Sequence, residues 1–332
     1  MRIAVDAMGG DNAPEAIVRG AVNARDEYNV SIIFSGKETE IKRELEKNTS
    51  DFDNIEIINA EEVISNDDKP VMALRRKKDS SLVKALNAVK SKEADAIVSA
   101  GSTGALLAGA TLIAGRIKGI ERPAIGSLIP NMNGGFALLI DSGANVDSKP
   151  EFLYDFAIMG DIYLKKVFDL KSPRIALANI GTEKTKGDKL TLETYSLLEN
   201  TALPLNFTGN IEAREILHGK ADIIVCDGFV GNMILKTLEG TVLELMKGIK
   251  NELMSSTRTK IGAALIKPAL LKFKSKLDYS EHGGAPILGV KETVVKAHGS
   301  SDDKAFKNAI RQAKICFENN VNELIEESIM RR

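Results

Sequence analysis

Short apolar runs alternate with stretches of helical periodicity along almost the whole chain. Runs at 2–6, 30–35, 55–59, 95–99, 124–130, 135–141, 174–179, 204–208, 222–227 and 292–298 read as strands. Several are apolar at consecutive rather than alternate positions, the pattern of strands buried on both faces of a parallel sheet. Between them Ile17, Ala21 and Ala24 share one helical face, as do Leu82, Leu86 and Val89. A last helix carries Phe306, Ile310, Ala313, Phe317, Val321 and Leu324 at spacings of three and four. This alternation predicts an α/β fold: a doubly wound, mostly parallel sheet sandwiched by helices, with right-handed crossovers. The runs at 124–130 and 135–141, joined through Asn131, Met132, Asn133, Gly134 and Gly135, predict a hairpin and so a mixed part of the sheet. Without tandem repeat or long linker, residues 1–330 read as a single large α/β domain with room for two lobes.

Composition narrows the class. Lysines and arginines number 45 against 46 acids, a formal charge of −1, and tryptophan is absent. A globally basic nucleic-acid binder is disfavoured, and few aromatics are on hand for stacking bases. Cys226 and Cys316 lie far apart with no CxxC, so neither a disulfide framework nor a cysteine zinc site is expected, and a reducing cytoplasm is. The start MRIAVD turns polar at Asp6 and lacks a signal peptide's apolar run. No run of about 18 apolar residues exists to span a bilayer.

The strand ends carry the informative pattern. Asp6, Ser99, Asp141, Asn179, Thr208, Asp227 and His298 each close an apolar run and lead into a glycine-containing loop. In a parallel sheet such ends share one edge, where α/β proteins bind ligands, and glycine lets the backbone approach a ligand closely. Helices that begin just afterwards favour an anion. Taken singly, each loop also reads as an ordinary βα turn. The anion is not set by a nucleotide motif. There is no GxxxxGK[ST], and Met8, Gly9, Gly10 and Asp11 lack the spacing of a dinucleotide turn. Three histidines without a ligand cluster argue against a metal, and no cofactor is expected. One rival stands: AGSTG (100–104) sits between strand and helix like a nucleophile elbow, and His298 comes later in the order a serine hydrolase or thioesterase needs. Ser102 and Thr103 read equally well as hydroxyl donors to an anion and as a helix cap.

As a set, DAMGGDNAP (6–14), SAGSTGA (99–105), NIGTEKTKG (179–187), FTGNIE (207–212), VCDGFVGN (225–232) and AHGSS (297–301) resemble the bacterial phosphate acyltransferase family, PlsX. The resemblance runs through the whole chain in order. It implies transfer of a long acyl chain from acyl carrier protein to inorganic phosphate, giving acyl phosphate for phospholipid synthesis. It also implies a homodimer and a fold similar to phosphotransacetylases and isopropylmalate-dehydrogenase-like proteins, with a coenzyme A-preferring phosphotransacetylase as a close alternative. One departure is His282, where the family's pattern leads us to expect an aromatic residue.

Phosphate dianion is itself a competent nucleophile near neutral pH, so such an enzyme mainly has to hold it beside the thioester carbonyl and stabilise the tetrahedral oxyanion. Candidate phosphate ligands are the backbone amides of Gly101, Ser102, Thr103 and Gly104, the Ser102 and Thr103 hydroxyls and the Lys184 ammonium, with Lys186 a weaker second. Asp6, Gly9, Gly10, Asn179, Gly181, Thr182, Gly228, Gly231 and Ser300 form the loops around them. Asn232 and Asn210 are candidate oxyanion donors or else helix caps. Asp227 either orients a donor or caps the next helix. His298 either protonates the departing thiolate or is structural. Cys226 reads as core.

The segment 235–278 reads as a helical projection. Leu235, Leu238, Val242, Leu245, Ile249 and Leu253 make a long stripe suited to a dimer interface. Residues 258–277 carry six basic side chains (Arg258, Lys260, Lys267, Lys272, Lys274 and Lys276) and no acid. Interleaved leucines and isoleucines suit an anionic membrane surface, the alternative being a core helix with snorkelling lysines, and Pro268 is expected to break the segment in two. Peripheral attachment to the inner face of the membrane is the consequence of the first reading. Arg75, Arg76, Lys77 and Lys78 could steer an acidic carrier protein, or form a solvated turn. A non-catalytic membrane-docking scaffold is the third class carried.

Overall fold

The computed structural model describes residues 1–276 and 283–332, so His282 and Leu277 lie outside the described residues. Among the described residues the strands are β1 (Arg2–Asp6), β2 (Ser31–Gly36), β3 (Ile55–Asn59), β4 (Ala96–Ser99), β5 (Ala124–Pro130), β6 (Phe136–Ile140), β7 (Arg174–Asn179), β8 (Asn206–Glu212), β9 (Ile223–Val225), β10 (Ala285–Leu288) and β11 (Thr293–Lys296). The helices are α1 (Glu15–Tyr28), α2 (Glu38–Asn48), α3 (Pro70–Arg76), α4 (Ser81–Lys90), α5 (Thr103–Gly109), α6 (Pro150–Val167), α7 (Lys189–Glu199), α8 (Gly228–Leu253), α9 (Thr257–Lys276), α10 (Asp303–Glu318) and α11 (Val321–Ile329). They flank one sheet of order β3-β2-β1-β4-β11-β10-β5-β6-β9-β7-β8. The architecture is the expected α/β sandwich with a mostly parallel sheet.

Consecutive apolar residues are explained by burial on both faces. Ile3, Val5, Ile32, Phe34 and Val98 pack with Ile17 of α1 and Phe306 and Ile310 of α10. The alternate residues Ala4, Ile33 and Ile97 pack with Leu82 and Leu86 of α4 and Leu106 of α5. In the other half Leu138, Ile140, Ile175 and Val225 meet Phe156 and Tyr163 of α6. Helix α1 approaches α10 tightly at Gly20, where an added Cβ would lie 2.6 Å from the Asp303 carbonyl oxygen.

The expectation that seven strand ends share one edge needs correction. β1, β2, β3, β4, β11 and β5 run one way, whereas β10, β6, β9, β7 and β8 run the other, because β5 pairs antiparallel with both β10 and β6. The 124–141 hairpin therefore inverts the whole second half of the sheet. Register still brings several ends together. Asp6 pairs with Ser99, Ser99 with Lys296 and Lys296 with Ala285, so these four form one row. Through β10 and β5, whose Gly126 pairs with Ile140, the carboxyl ends of β6 and β9 come nearly level with that row. The carboxyl end of β7 lies beyond β9, away from the junction.

Three smaller differences have local causes. Strand β8 does not stop at Thr208: Gly209 at φ +98° marks a register shift, and the strand resumes through Asn210 to Glu212. Strand β10 escapes the apolar pattern, being four residues of which Pro286 cannot donate to a ladder. Pro268 does not break α9. Residues around the turn below it are exposed, so the carbonyl that loses its donor is open to solvent.

The projection differs too. Leu235 and Leu238, assigned from sequence to an intersubunit stripe, pack on the sheet beside Ile211 and Ile224. Beyond them α8 leaves the body, and Leu243 and Leu245 are exposed. The core-helix alternative for α9 fails: only Ala263 among its described side chains is buried, and Leu265 is 79% exposed. Nor is α9 cleanly two-faced, since Ile261, Leu265 and Lys272 fall along one side at 100° per residue. Among the described residues no helix is long and apolar enough to cross a membrane.

Candidate active site

Where the two sets of strand ends meet lies a cavity of about 710 Å³. Its walls include Gly10 and Asp11 after β1, Gly101, Ser102 and Thr103 after β4, and Ser142 and Gly143 after β6. Gly228 and Asn232 of α8 and Lys296, His298 and Gly299 at the end of β11 complete them. An apolar side is supplied by Ile64, Ile125, Leu128, Val146 and Phe229.

Tight turns let these loops converge. The β1 and β4 loops interlock, since a Cβ on Gly9 would stand 2.6 Å from Asp6 Oδ2 and 2.7 Å from the Gly101 nitrogen. The Asp11 amide donates to the Gly299 carbonyl at 2.8 Å, and Asn12 Nδ2 donates to the Ser300 and Ser301 carbonyls, tying the β1 and β11 loops together. On the opposite wall the buried Asp141 carboxylate gathers the amides of Ile125, Gly143, Ala144 and Asn145 and the Asn145 side chain at 2.7–3.2 Å. Gly231 lets α8 cross directly over the Asp141 carbonyl, in space a Cβ would occupy. Asp227 caps α8 through the Val230 amide at 2.9 Å, the capping alternative from the sequence.

Beneath the cavity floor, Ser99 Oγ donates to Asp6 Oδ2 at 2.6 Å and accepts from the Gly101 amide at 3.0 Å. Burial lifts the Asp6 carboxyl above the usual carboxylate range, while the hydroxyls of Ser81 and Ser99 and the charge of Lys296 pull it down. In the same row the Lys296 ammonium donates to the Ala100 carbonyl at 3.2 Å and to the Ala297 carbonyl. Burial pushes it down to about 8, against the opposing charges of Asp6 and Asp11. His298 Nδ1 meets Ser300 Oγ at 2.9 Å rather than Ser102, and burial lowers its pKa. Cys226 is buried at the end of β9 with its thiol pushed up by burial, as a core residue.

The structure thus brings Gly10, Gly101, Ser102, Thr103, Gly228, Asn232 and His298 onto one cavity, with Asp6, Gly9, Gly104, Asp227, Gly231 and Ser300 in the loops that build it. It does not bring the β7 and β8 residues there. Lys184 is 65% exposed and paired with Glu199, over the Tyr195 ring. Asn179 Nδ2 donates to the Lys186 carbonyl, Asn210 Nδ2 to the Glu183 carbonyl, and Gly181 and Thr182 sit in that same loop. The residue that sequence reasoning missed is Lys296, hidden inside the apolar run 292–298. The available signal is a single cation between Val295 and Ala297 in that run.

Comparison with known proteins gives the family and the fold. A family profile described as "Fatty acid synthesis protein" matches residues 1–324. A "Phosphate acyltransferase" of Clostridium botulinum (strain Loch Maree) is 54% identical, covering 99% of this chain and 100% of that one. One of Clostridium kluyveri is 55% identical, covering 99% and 98%. Among solved structures, a phosphotransacetylase from Streptococcus pyogenes superposes with a TM-score of 0.61 at 19% identity, covering 95% of this chain and 94% of that chain. The EutD phosphotransacetylase from Staphylococcus aureus gives 0.58 at 17%, with the same coverage. These two share the fold. With a matching profile over nearly its full length and relatives above half identical, the chain belongs to the phosphate acyltransferase family, enzymes that transfer an acyl group to phosphate.

Proposed function

We propose that the enzyme takes a long-chain fatty acyl group from the thioester of acyl carrier protein and passes it to inorganic phosphate, giving acyl phosphate for phospholipid synthesis. The observation that carries this reading is one cavity with a polar floor of glycine loops and a buried lysine beside an apolar wall. Such a site suits an inorganic anion next to an acyl chain. An oxygen of hydrogen phosphate attacks the thioester carbonyl carbon, forming a C–O bond. The tetrahedral oxyanion collapses as the C–S bond breaks, and the phosphate's remaining proton ends on the departing thiolate. His298, on the cavity with its pKa lowered by partial desolvation, is suited to relay that proton. Asn232 lines the facing wall, which supports giving it the role of oxyanion donor. Asn179, Gly181, Thr182, Lys184 and Asn210 do not line this cavity, and the proposed step is written without them.

Two further parts of the reading rest on the projecting helices. Exposed Leu243 and Leu245 on α8 support a homodimer, and the exposed, basic and leucine-rich α9 supports attachment to the cytoplasmic face of an anionic membrane. The deciding experiment measures thiol release from acyl carrier protein and coenzyme A thioesters side by side, with phosphate varied. Release should require phosphate and favour the carrier protein. Release independent of phosphate would mean hydrolysis, and preference for coenzyme A would make this a phosphotransacetylase.

A further inference from the structure

We propose that Lys296 is a catalytic residue whose ammonium holds the attacking phosphate, with Asp6 and Ser99 as the residues that position it. The inference rests on the acyl transfer to phosphate proposed above and names the cation of that site.

Desolvation is the first reason. Every residue of β11 is buried, and Lys296 is 9% exposed. Stripping water from an ammonium costs several kcal/mol unless other charges or dipoles replace it. Here the replacement is partial. Two backbone carbonyls accept from Nζ, and the nearby carboxylates of Asp6 and Asp11 act on it through their charge rather than through a hydrogen bond. An ammonium carries three donors, so these carbonyls leave one for a ligand. Full ion pairing would have been the stable solution for a structural lysine. A buried cation that is held but underneutralised fits a ligand that brings negative charge, and a phosphate dianion brings two.

Position supports the same conclusion. The bond to the Ala100 carbonyl sets Lys296 against the segment 101–103, which lines the cavity. Register ties the lysine to Ser99, and Ser99 to Asp6. Asp6 therefore supplies a nearby field without quenching the cation, and Ser99 links that carboxylate to the Gly101 amide. The other lysine on the cavity, Lys236, is exposed and paired with Glu239. The charged and titratable groups facing Lys296 are thus Asp6, Asp11, Lys236 and His298, with Glu239 acting on His298.

Such a pairing has a pH signature. A phosphate loses its second proton at about 6 to 7, and Lys296 loses its own at about 8, so phosphate should bind best between these and more weakly above. Asp6→Asn removes a negative charge near the ammonium and should move the alkaline limb about one pH unit lower.

The test uses the full-length enzyme with saturating palmitoyl-acyl carrier protein and varied phosphate. Lys296→Met should lower kcat/KM for phosphate by about 10²–10³ while the KM for the thioester changes less than about threefold, and Lys296→Arg should recover most of the loss. Asp6→Asn should keep its fold and show the displaced alkaline limb. A folded Lys296→Met enzyme with the wild-type KM for phosphate would overturn the assignment. If that variant does not fold, an alkaline limb that stays in place in Asp6→Asn overturns it instead. Wild-type enzyme that turns over without phosphate would sink the proposed reaction, a result distinct from either.

Discussion

Replacing Asp141 with asparagine tests whether the wall of the cavity opposite Lys296 is held by one carboxylate. Its two oxygens accept from four backbone amides and from Asn145 Nδ2, all at 2.7–3.2 Å, and Asp141 is fully buried. Asparagine keeps one oxygen and replaces the other with an amide that can only donate. If the amide faces the Oδ2 side, the Asn145 amide and Asn145 Nδ2 both lose their acceptor. Each buried donor left unsatisfied costs about 1–3 kcal/mol, so the variant should lose about 4 kcal/mol. Out of a typical total of about 5–15 kcal/mol the protein should remain folded at low temperature but unfold at clearly lower urea. Because the same amides fix Ser142 and Gly143 on the cavity, the KM for phosphate should rise together with the loss of stability. Urea denaturation followed by circular dichroism, paired with phosphate kinetics, measures both. A loss below about 1 kcal/mol would refute the reasoning, showing that the loop reorganises to satisfy its own donors. Asp141→Ala, which orphans every donor at once, should fail to accumulate as folded protein.

Lys296 has a pKa lower in the folded chain than in the unfolded one, so between about 8 and 10.5 the unfolded chain binds more protons and stability rises with pH. In urea titrations without phosphate, the stability of Lys296→Met relative to wild type should therefore shrink by about 3 kcal/mol across that window, and a constant difference would contradict the burial of a charged lysine. Leu265→Glu on the exposed α9 should cut flotation with anionic phospholipid vesicles at least tenfold while phosphate-dependent thiol release in detergent-free buffer persists; unchanged flotation ends the membrane assignment. Ser102→Ala should retain activity within about tenfold and no acyl-enzyme should be trapped on Ser102, since its partner in a hydrolase, His298, is engaged by Ser300; complete loss with acyl-serine in the wild type would favour the elbow reading.

The apolar runs were legible because burial on both faces leaves little ambiguity: Ile3, Val5 and Ala4 all need covering, and only a two-sided sheet covers them. Glycine loops at 9–10, 101–104 and 228–231 were legible for a chemical reason, since they mark where backbone meets backbone or ligand. The same signature at 179–187 pointed to a loop on the far side of β9. Sequence could locate the 124–141 hairpin but not its effect, which is to reverse every later strand except β11. Lys296 was hidden by its neighbours. A cation between Val295 and Ala297 looks like the end of a strand until pairing sets it beside Asp6 and Ser99.

Helix α8 joins two places that otherwise have nothing in common. Its first turns present Gly228 and Asn232 to the reaction cavity, and its far end carries the exposed hairpin with α9. Twenty-six residues at 1.5 Å each make a rod of about 39 Å. Whatever grips the tip of that rod thereby sets the tilt of the whole catalyst, and with it the direction in which the mouth of the cavity opens. On the proposed membrane attachment of α9, the orientation of product release would be inherited from docking far from the chemistry.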